Sequence, residues 1–295
     1  MVDSGVSEAW TTLKVLDWTT GRFERAGVAS PRLDAQVLLA DVLGCTRVAL
    51  YTRFDAPLAE RELATFRALI ERRLGGEPVA YLIGKQEFWS LPFAVDKRVL
   101  IPRPDTETLV QVALELGDAV SSKKGPVRVA EVATGSGAII VALAHERPAW
   151  TFVATDLSAE ALVVAKNNAE SNVVADRVEF REGHLLGPLS EMPPMSLLIS
   201  NLPYISEKDM TKLSAEVLHE PRTALFGGAK GTELIGEMVA GLASVLLPGG
   251  WVALEHGYDQ AEVVCDMAST AGFAGVTTRD DLAGRARVTF FRNDV

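Results

Sequence analysis

The sequence predicts an α/β fold with a mainly parallel sheet, preceded by a small all-α helical bundle. Amphipathic segments follow one another from Val6 to about Leu74, and beyond them short apolar runs alternate with helical stretches. A glycine-rich turn, EVATGSGAII, joins the first of those runs to a helix.

Each element has a local reason. TLKVLDWTTGRFERAG, SPRLDAQVLLADVLG and LAERELATFRALIERRLGG carry apolar residues at helical spacing. Ser30 before Pro31 reads as an N-cap followed by proline at the first helical position, and Gly27, Gly44 and Gly75 stand where helices stop. After GGEPVAYLIG, the stretch FWSLPFAVDKRVLIPRP predicts a strand pair linking two parts. Then VRVAEVA, TFVATDL, RVEFREG, SLLISN and GWVALEHG read as strands, with SAEALVVAKNNAE and TELIGEMVAGLASVLL as covering helices. ARVTFFR follows an aspartate-rich loop and reads as an antiparallel edge strand. The expected domains are 1–84 helical, 85–108 a linker with the strand pair, and 109–295 α/β.

Composition narrows the function class. Net charge is −10, and it is uneven: residues 1–85 hold 11 Lys or Arg against 11 Asp or Glu, leaving 18 against 28 beyond. The acidic later part argues against a broad nucleic-acid footprint. The start MVDSGVSEAW lacks the basic and apolar regions of a secretory signal, and no apolar run reaches the length of a membrane span, so a cytoplasmic protein is expected. Cys45 and Cys265 lie far apart and read as buried thiols; the four histidines form no ligand cluster, and no metal is expected.

The chemistry concentrates at three strand ends. Gly135 and Gly137 allow a tight turn and close approach to a ligand, while amides near the helix start can donate. Asp156, about 20 residues on, can accept from both hydroxyls of a ribose or can cap the next helix. Both features suit a nicotinamide cofactor or S-adenosyl-L-methionine. Ile140 occupies the place of the third glycine that a pyrophosphate needs, which favours adenosylmethionine. SLLISN then delivers Asn201 to the same edge, followed by Leu202, Pro203 and Tyr204. An amide is a poor nucleophile because its lone pair is delocalised. The Asn201 side-chain oxygen and the Leu202 carbonyl can accept its two hydrogens and hold the nitrogen in line with a methyl group. Tyr204 can wall the pocket, and Pro203 stiffens the turn. An ordinary turn after a core strand is the plainer alternative.

With these elements in order, the chain resembles the peptide chain release factor glutamine N5-methyltransferases, over almost its whole length. GEPVAYLIGKQEFWSLPFAVDKRVLIPRPDTETLV, the glycine turn, Asp156, Asn-Leu-Pro-Tyr, HEPRTALFGG, ALEHGYDQ and DLAGRARVTFFR carry the resemblance, with IPRPDTETLV the most specific. The resemblance implies a Rossmann-like class I methyltransferase domain, adenosylmethionine as donor, and methylation of the glutamine in the Gly-Gly-Gln loop of translation release factors. It implies that the N-terminal helices help to hold the release factor. A monomer is expected, though no residue pattern speaks to it. By position, Ala133, Thr134, Gly135, Ser136, Gly137, Asp156, His184, Leu185 and Asn201 would hold the donor. Residues 201–204 would hold the glutamine, and Arg103 and Glu107 would organise the entrance or staple the linker to the domain.

The chain departs from the family pattern at three places. Ala133 replaces a glycine, which costs about 1–2 kcal/mol if the position needs positive φ and would weaken donor binding. Leu202 replaces the first proline of Asn-Pro-Pro-Tyr, a loss of about 0.4–1 kcal/mol of chain restraint. His184 stands where an acidic residue is usual near the adenine; a neutral imidazole can still accept one hydrogen bond, or the residue is simply a solvent-facing loop histidine. Glu255 and His256 could form an acid and base pair, though packing explains them equally. Glu220 and Pro221 belong to a loop that could cover the substrate. The competing functions are methylation of adenine or another exocyclic nitrogen in nucleic acid, and a catalytically silent binding module.

Overall fold

In the computed structural model, residues 9–124 and 126–294 are described, so the start of the first amphipathic stretch at Val6 lies outside them. The chain forms two compact units. One runs to Gly84 and includes Ala215–His219; the other comprises Lys85–Ser214 and the chain from Glu220 on.

The first unit contains α1 (Thr12–Arg25), α2 (Pro31–Val42), α3 (Arg47–Thr52), α4 (Glu60–Leu74) and α5 (Val79–Ile83). The short α3 and α5 were not legible as separate helices. Thr11 and Thr46 cap α1 and α3 by accepting a backbone N–H three residues on. Ser30, expected to cap α2, makes no such bond; Pro31 at the first helical position sets the start instead. Gly27 and Gly44 take positive φ after α1 and α2. Phe23, Leu38, Leu39, Phe66 and Ile70 fill the core. Beside it, Arg73 is buried with Asp34 at 2.8 Å and reaches Glu216 of the returning segment at 3.0 Å.

The second unit opens with a hairpin, β1 (Lys85–Phe88) and β2 (Leu91–Ala94), antiparallel and closed by Trp89 and Ser90, both at positive φ. The expected strand pair is therefore present. After α6 (Glu107–Lys124) come β3 (Arg128–Val132), α7 (Ala138–Glu146), β4 (Thr151–Asp156), α8 (Ala159–Ser171), β5 (Val178–Glu182) and β6 (Met195–Asn201). The short α9 (Glu207–Met210) and α10 (Arg222–Leu225) precede α11 (Glu233–Gly241), β7 (Leu246–Glu255), α12 (Ala261–Thr270), β8 (Ala274–Asp280) and β9 (Ala286–Arg292).

The sheet order is β5-β4-β3-β6-β7-β9-β8, parallel from β5 to β7 and antiparallel at β7-β9 and β9-β8. ARVTFFR is antiparallel as expected, but it lies inside the sheet; β8 is the edge. Its half-exposed, polar run AGVTTRD suits an edge and hides it in the sequence. Strand alternation feeds two cores. Val129, Leu197, Ile199 and Ala253 pack with α6 and α7, while Ala130, Val132, Leu198, Val252 and Leu254 pack with α11 and α12. In β6 every residue up to Asn201 is buried, so the apolar run ends where the sheet meets its carboxyl edge.

Candidate active site

A cavity of about 370 Å³ opens at that edge. It lies over β3, which has β4 on one flank and β6 on the other; open α/β sheets bind ligands where strand order reverses in this way. Ala133, Thr134, Gly135 and Ser136 of the β3–α7 turn, Asp156, His184, Leu185, Asn201, Leu202, Pro203 and Arg103 all line it.

The glycine turn is built by short bonds. Thr134 N donates to Thr155 O (2.9 Å), Gly137 N to Thr134 O (2.8 Å), and Gly135 N to Asp156 Oδ2 (2.8 Å). Asp156 Oδ1 also accepts from Ser158 N at 2.9 Å. Helix α8 is capped by the Ser158 hydroxyl, so Asp156 is free of that task and keeps lone pairs on both oxygens. Burial raises its pKa, against the opposing pull of these amides. Gly137 was expected among the ligand contacts, but it does not line the cavity. It begins α7 at φ 78°, where a Cβ would meet Ala165 at 3.1 Å, so its smallness serves helix packing.

Asn168 braces the turn from below, a role nothing in the helical stretch AKNNAES signalled. Its Nδ2 donates to Ser136 O (2.8 Å) and Ala94 O (3.0 Å), and its Oδ1 accepts from Ala94 N (2.7 Å). The amide joins hairpin, helix and turn.

Ala133 has φ 60°, in the left-handed region. The strain expected for its methyl is therefore present. It is a cost of the backbone conformation itself, and so weighs on folding stability. Ala133→Gly should stabilise the protein by up to about 1 kcal/mol, since the left-handed cost exceeds the extra chain entropy of glycine. Urea midpoints check this, and donor affinity should stay within about twofold; an unchanged or lower midpoint would contradict it.

His184 sits on the cavity rim, half exposed, with Nε2 2.9 Å from Glu237 Oε1. Arg103 pairs with Glu220, whose other oxygen accepts from Ile101 N at 3.0 Å. This fixes the IPRP segment against the loop whose Pro221, Thr223 and Ala224 line the cavity. Glu107 does not reach the cavity: it accepts from Trp89 N at 2.9 Å and braces the strained hairpin turn. The expected staple was an ion pair; the contact Glu107 makes is instead with a backbone N–H, and the ion pair of this block joins Arg103 to Glu220.

The tetrapeptide is strapped in place. Ile205 N donates to Leu225 O and Gly227 N to Ile205 O, each at 3.0 Å. A Cβ on Gly227 or Gly231 would lie 2.3 Å from the carbonyl oxygen of Pro203 or Tyr204. HEPRTALFGG thus owes its glycine ending to this close approach. Asn201 Nδ2 donates to Thr106 Oγ1 at 3.4 Å. Tyr204 faces away from the first cavity and lines a second one with Arg287 and Gln260; burial raises the pKa of its phenol, which stays neutral.

Two buried acids complete the edge. Glu131 lines the cavity; its Oε2 accepts from the Thr134 hydroxyl at 2.6 Å, and its Oε1 has no partner. Burial pushes its carboxyl up to about 8. Nothing in EVATGSG marks it as buried. Glu255 is likewise buried and pushed up to about 7 by burial. His256 is turned away: its Nε2 meets Thr289 Oγ1 and its Nδ1 meets Gly257 O, both at 2.8 Å. The two therefore form no acid and base pair. Both cysteines are part-exposed rather than buried. Among the described residues, no group of His, Cys, Asp or Glu could hold a metal ion.

Residues 14–84 match the family model described as the PrmC N-terminal domain, and residues 129–219 match one described as a methyltransferase domain. Among solved structures, the hMettl16 catalytic domain is similar at TM-score 0.58 and 14% identity, covering 95% of this chain and 91% of that one. A methyltransferase from Pyrococcus furiosus is similar at TM-score 0.51 and 17% identity, covering 76% and 98%. At such identities these two show the fold: a class I, Rossmann-like methyltransferase architecture. A release factor glutamine methyltransferase of Geobacter sulfurreducens is 42% identical over 282 residues, 95% of this chain and 96% of the relative. Its counterpart in Xylella fastidiosa (strain Temecula1) is 43% identical over 265 residues, 88% and 93%. Identity of this order across nearly both full lengths, joined to the domain match in the helical unit, means that the chain belongs to the release factor glutamine methyltransferase family.

Proposed function

We propose that the protein transfers the methyl group of S-adenosylmethionine to the side-chain amide nitrogen, N5, of the glutamine in the Gly-Gly-Gln motif of translation release factors. The observation that carries this reading is Asn201 at the end of a fully buried strand, on the wall of the cavity that the glycine turn and Asp156 also line.

The cavity suits the donor. Asp156 offers carboxylate lone pairs for ribose hydroxyls, and the unpartnered Glu131 Oε1 offers a carboxyl to a cationic group. The donor supplies an electrophilic methyl carbon on a sulfonium, whose C–S bond breaks as the N–C bond forms, the surplus proton leaving the nitrogen afterwards. Asn201 Oδ1 and the Leu202 carbonyl accept the two amide hydrogens, which fixes the nitrogen and draws charge towards it. The strap from Leu225 to Gly231 holds that pair of acceptors still. Leu202 is buried, so packing supplies the restraint a proline would have given. Pro221, Thr223 and Ala224 line the cavity, where they would cover bound substrate during transfer.

The N-terminal helices hold the release factor, and the enzyme acts as a cytoplasmic monomer on protein rather than nucleic acid. The acidic second part supports the choice of protein, and among the described residues no helix is long and apolar enough to cross a membrane. Incubation with adenosylmethionine and a release factor, followed by mass spectrometry of the Gly-Gly-Gln peptide, should show one added methyl on the glutamine. Methyl label found in duplex DNA alone would overturn the reading, and absence of donor binding at millimolar concentration would point to a silent module.

A further inference from the structure

Asn201 and Glu255 end neighbouring parallel strands and are paired in register. Glu255 is 2% exposed, and its Oε2 has no hydrogen-bond partner. The Thr106 hydroxyl and the Asn201 amide lie beside its carboxyl group and favour its ionised form, and Asn201 Nδ2 donates to Thr106 Oγ1 at 3.4 Å. A carboxylate can only accept. The Thr106 hydroxyl accepts from Asn201 Nδ2, so its own hydrogen is free to turn towards the Glu255 carboxylate. That order of donors runs one way, from amide to hydroxyl to carboxylate.

We propose that Glu255 is a positioning residue: its carboxylate, through and beside Thr106, holds the nitrogen end of the Asn201 amide away from the cavity, so that Oδ1 faces the incoming glutamine. This rests on the function proposed above. An asparagine can present oxygen or nitrogen with almost the same shape, and only the oxygen can accept a substrate N–H. With a neutral group at 255, the direction can reverse: the acid or amide donates to Thr106, whose hydroxyl then donates to Asn201 Oδ1. The cavity would face an NH₂ where an acceptor is needed.

Several charges face this group. Arg287 of β9 favours the carboxylate, while Asp105 opposes it; Arg287 itself is held by Asp281 at 3.0 Å and Asp105 at 3.2 Å. Tyr204 and Arg103 belong to the same electrostatic neighbourhood, and His256 packs behind it towards Thr289. Burial outweighs these and pushes the Glu255 carboxyl up to about 7. The carboxylate should therefore be lost, and turnover with it, as pH falls through about 7.

The test is kcat for release-factor methylation against pH, in wild type, Glu255→Gln and Thr106→Val. Wild type should show an acid limb near pH 7. Glu255→Gln should lose about tenfold or more in kcat, with KM for both substrates within about threefold, and should lack the limb. Thr106→Val keeps the carboxylate but removes a bond that favours it, so its limb should move to higher pH and its kcat should also fall. Wild-type kcat in Glu255→Gln, or a limb that persists there, would overturn the proposal. Should Glu255→Gln fail to fold by thermal melting, the Thr106→Val limb decides alone, and no shift overturns it. A wild-type enzyme that methylates no glutamine would sink the functional reading itself, an outcome distinct from an active wild type with an equally active variant.

Discussion

Replacing Asn201 with alanine is expected to lower kcat for glutamine methylation by about 10²–10³-fold, the usual loss when one fixed polar partner of a reacting group is removed. The effect should fall on kcat because the amide oxygen binds the acceptor in the geometry of transfer. A nitrogen without that partner keeps its lone pair delocalised and samples orientations off the line to the methyl carbon. Donor binding should remain within about tenfold, since Ala133 to Ser136, Asp156 and Glu131 are untouched. Single-turnover rates with saturating donor, beside calorimetry for adenosylmethionine, separate the two quantities. A variant with wild-type turnover would mean that the acceptor lies elsewhere.

Raising the pH should destabilise the donor-free protein. Glu131 has an ordinary pKa of 4.5 and is pushed up to about 8 by burial. Between those values the folded chain holds a proton that the unfolded chain releases, so folding stability falls as pH rises. The contribution is complete below about 4.5, is lost as pH climbs through about 8, and is flat beyond. Glu255, raised to about 7, and Asp156, raised by the same burial, act in the same direction. The lowered groups Asp96 and Asp118 act only in the acid range. A loss on the order of a few kcal/mol is expected from pH 5.5 to 8. Urea midpoints measure it. In Glu131→Gln the decline should be visibly shallower; an equal slope in both proteins would show that Glu131 is ionised in the fold.

Much of the fold was legible because β3, β4 and β6 are buried over most of their length and read as largely apolar runs. Asn201 stood out for the opposite reason, as a polar residue ending such a run. What stayed hidden was polarity whose purpose is internal. Glu131 and Asn168 are of residue types usually met at surfaces, and only tertiary contacts reveal that they are buried. Thr106 lies within the marker block IPRPDTETLV beside the charged Arg103 and Glu107, and a hydroxyl suggests chemistry less readily than a charge does. β8 was missed because its sequence alternates weakly and ends in aspartate, and that omission moved β9 from the interior to the edge.

The position of β9 bears on how the fold can fail. Residues 286–292 pair with residues 274–280 on one side and with the flank of β7 on the other. Wherever that one segment comes loose, two unpaired strand borders open at once, each able to recruit a stranger. Partial unfolding that begins there should therefore favour clumping over recovery.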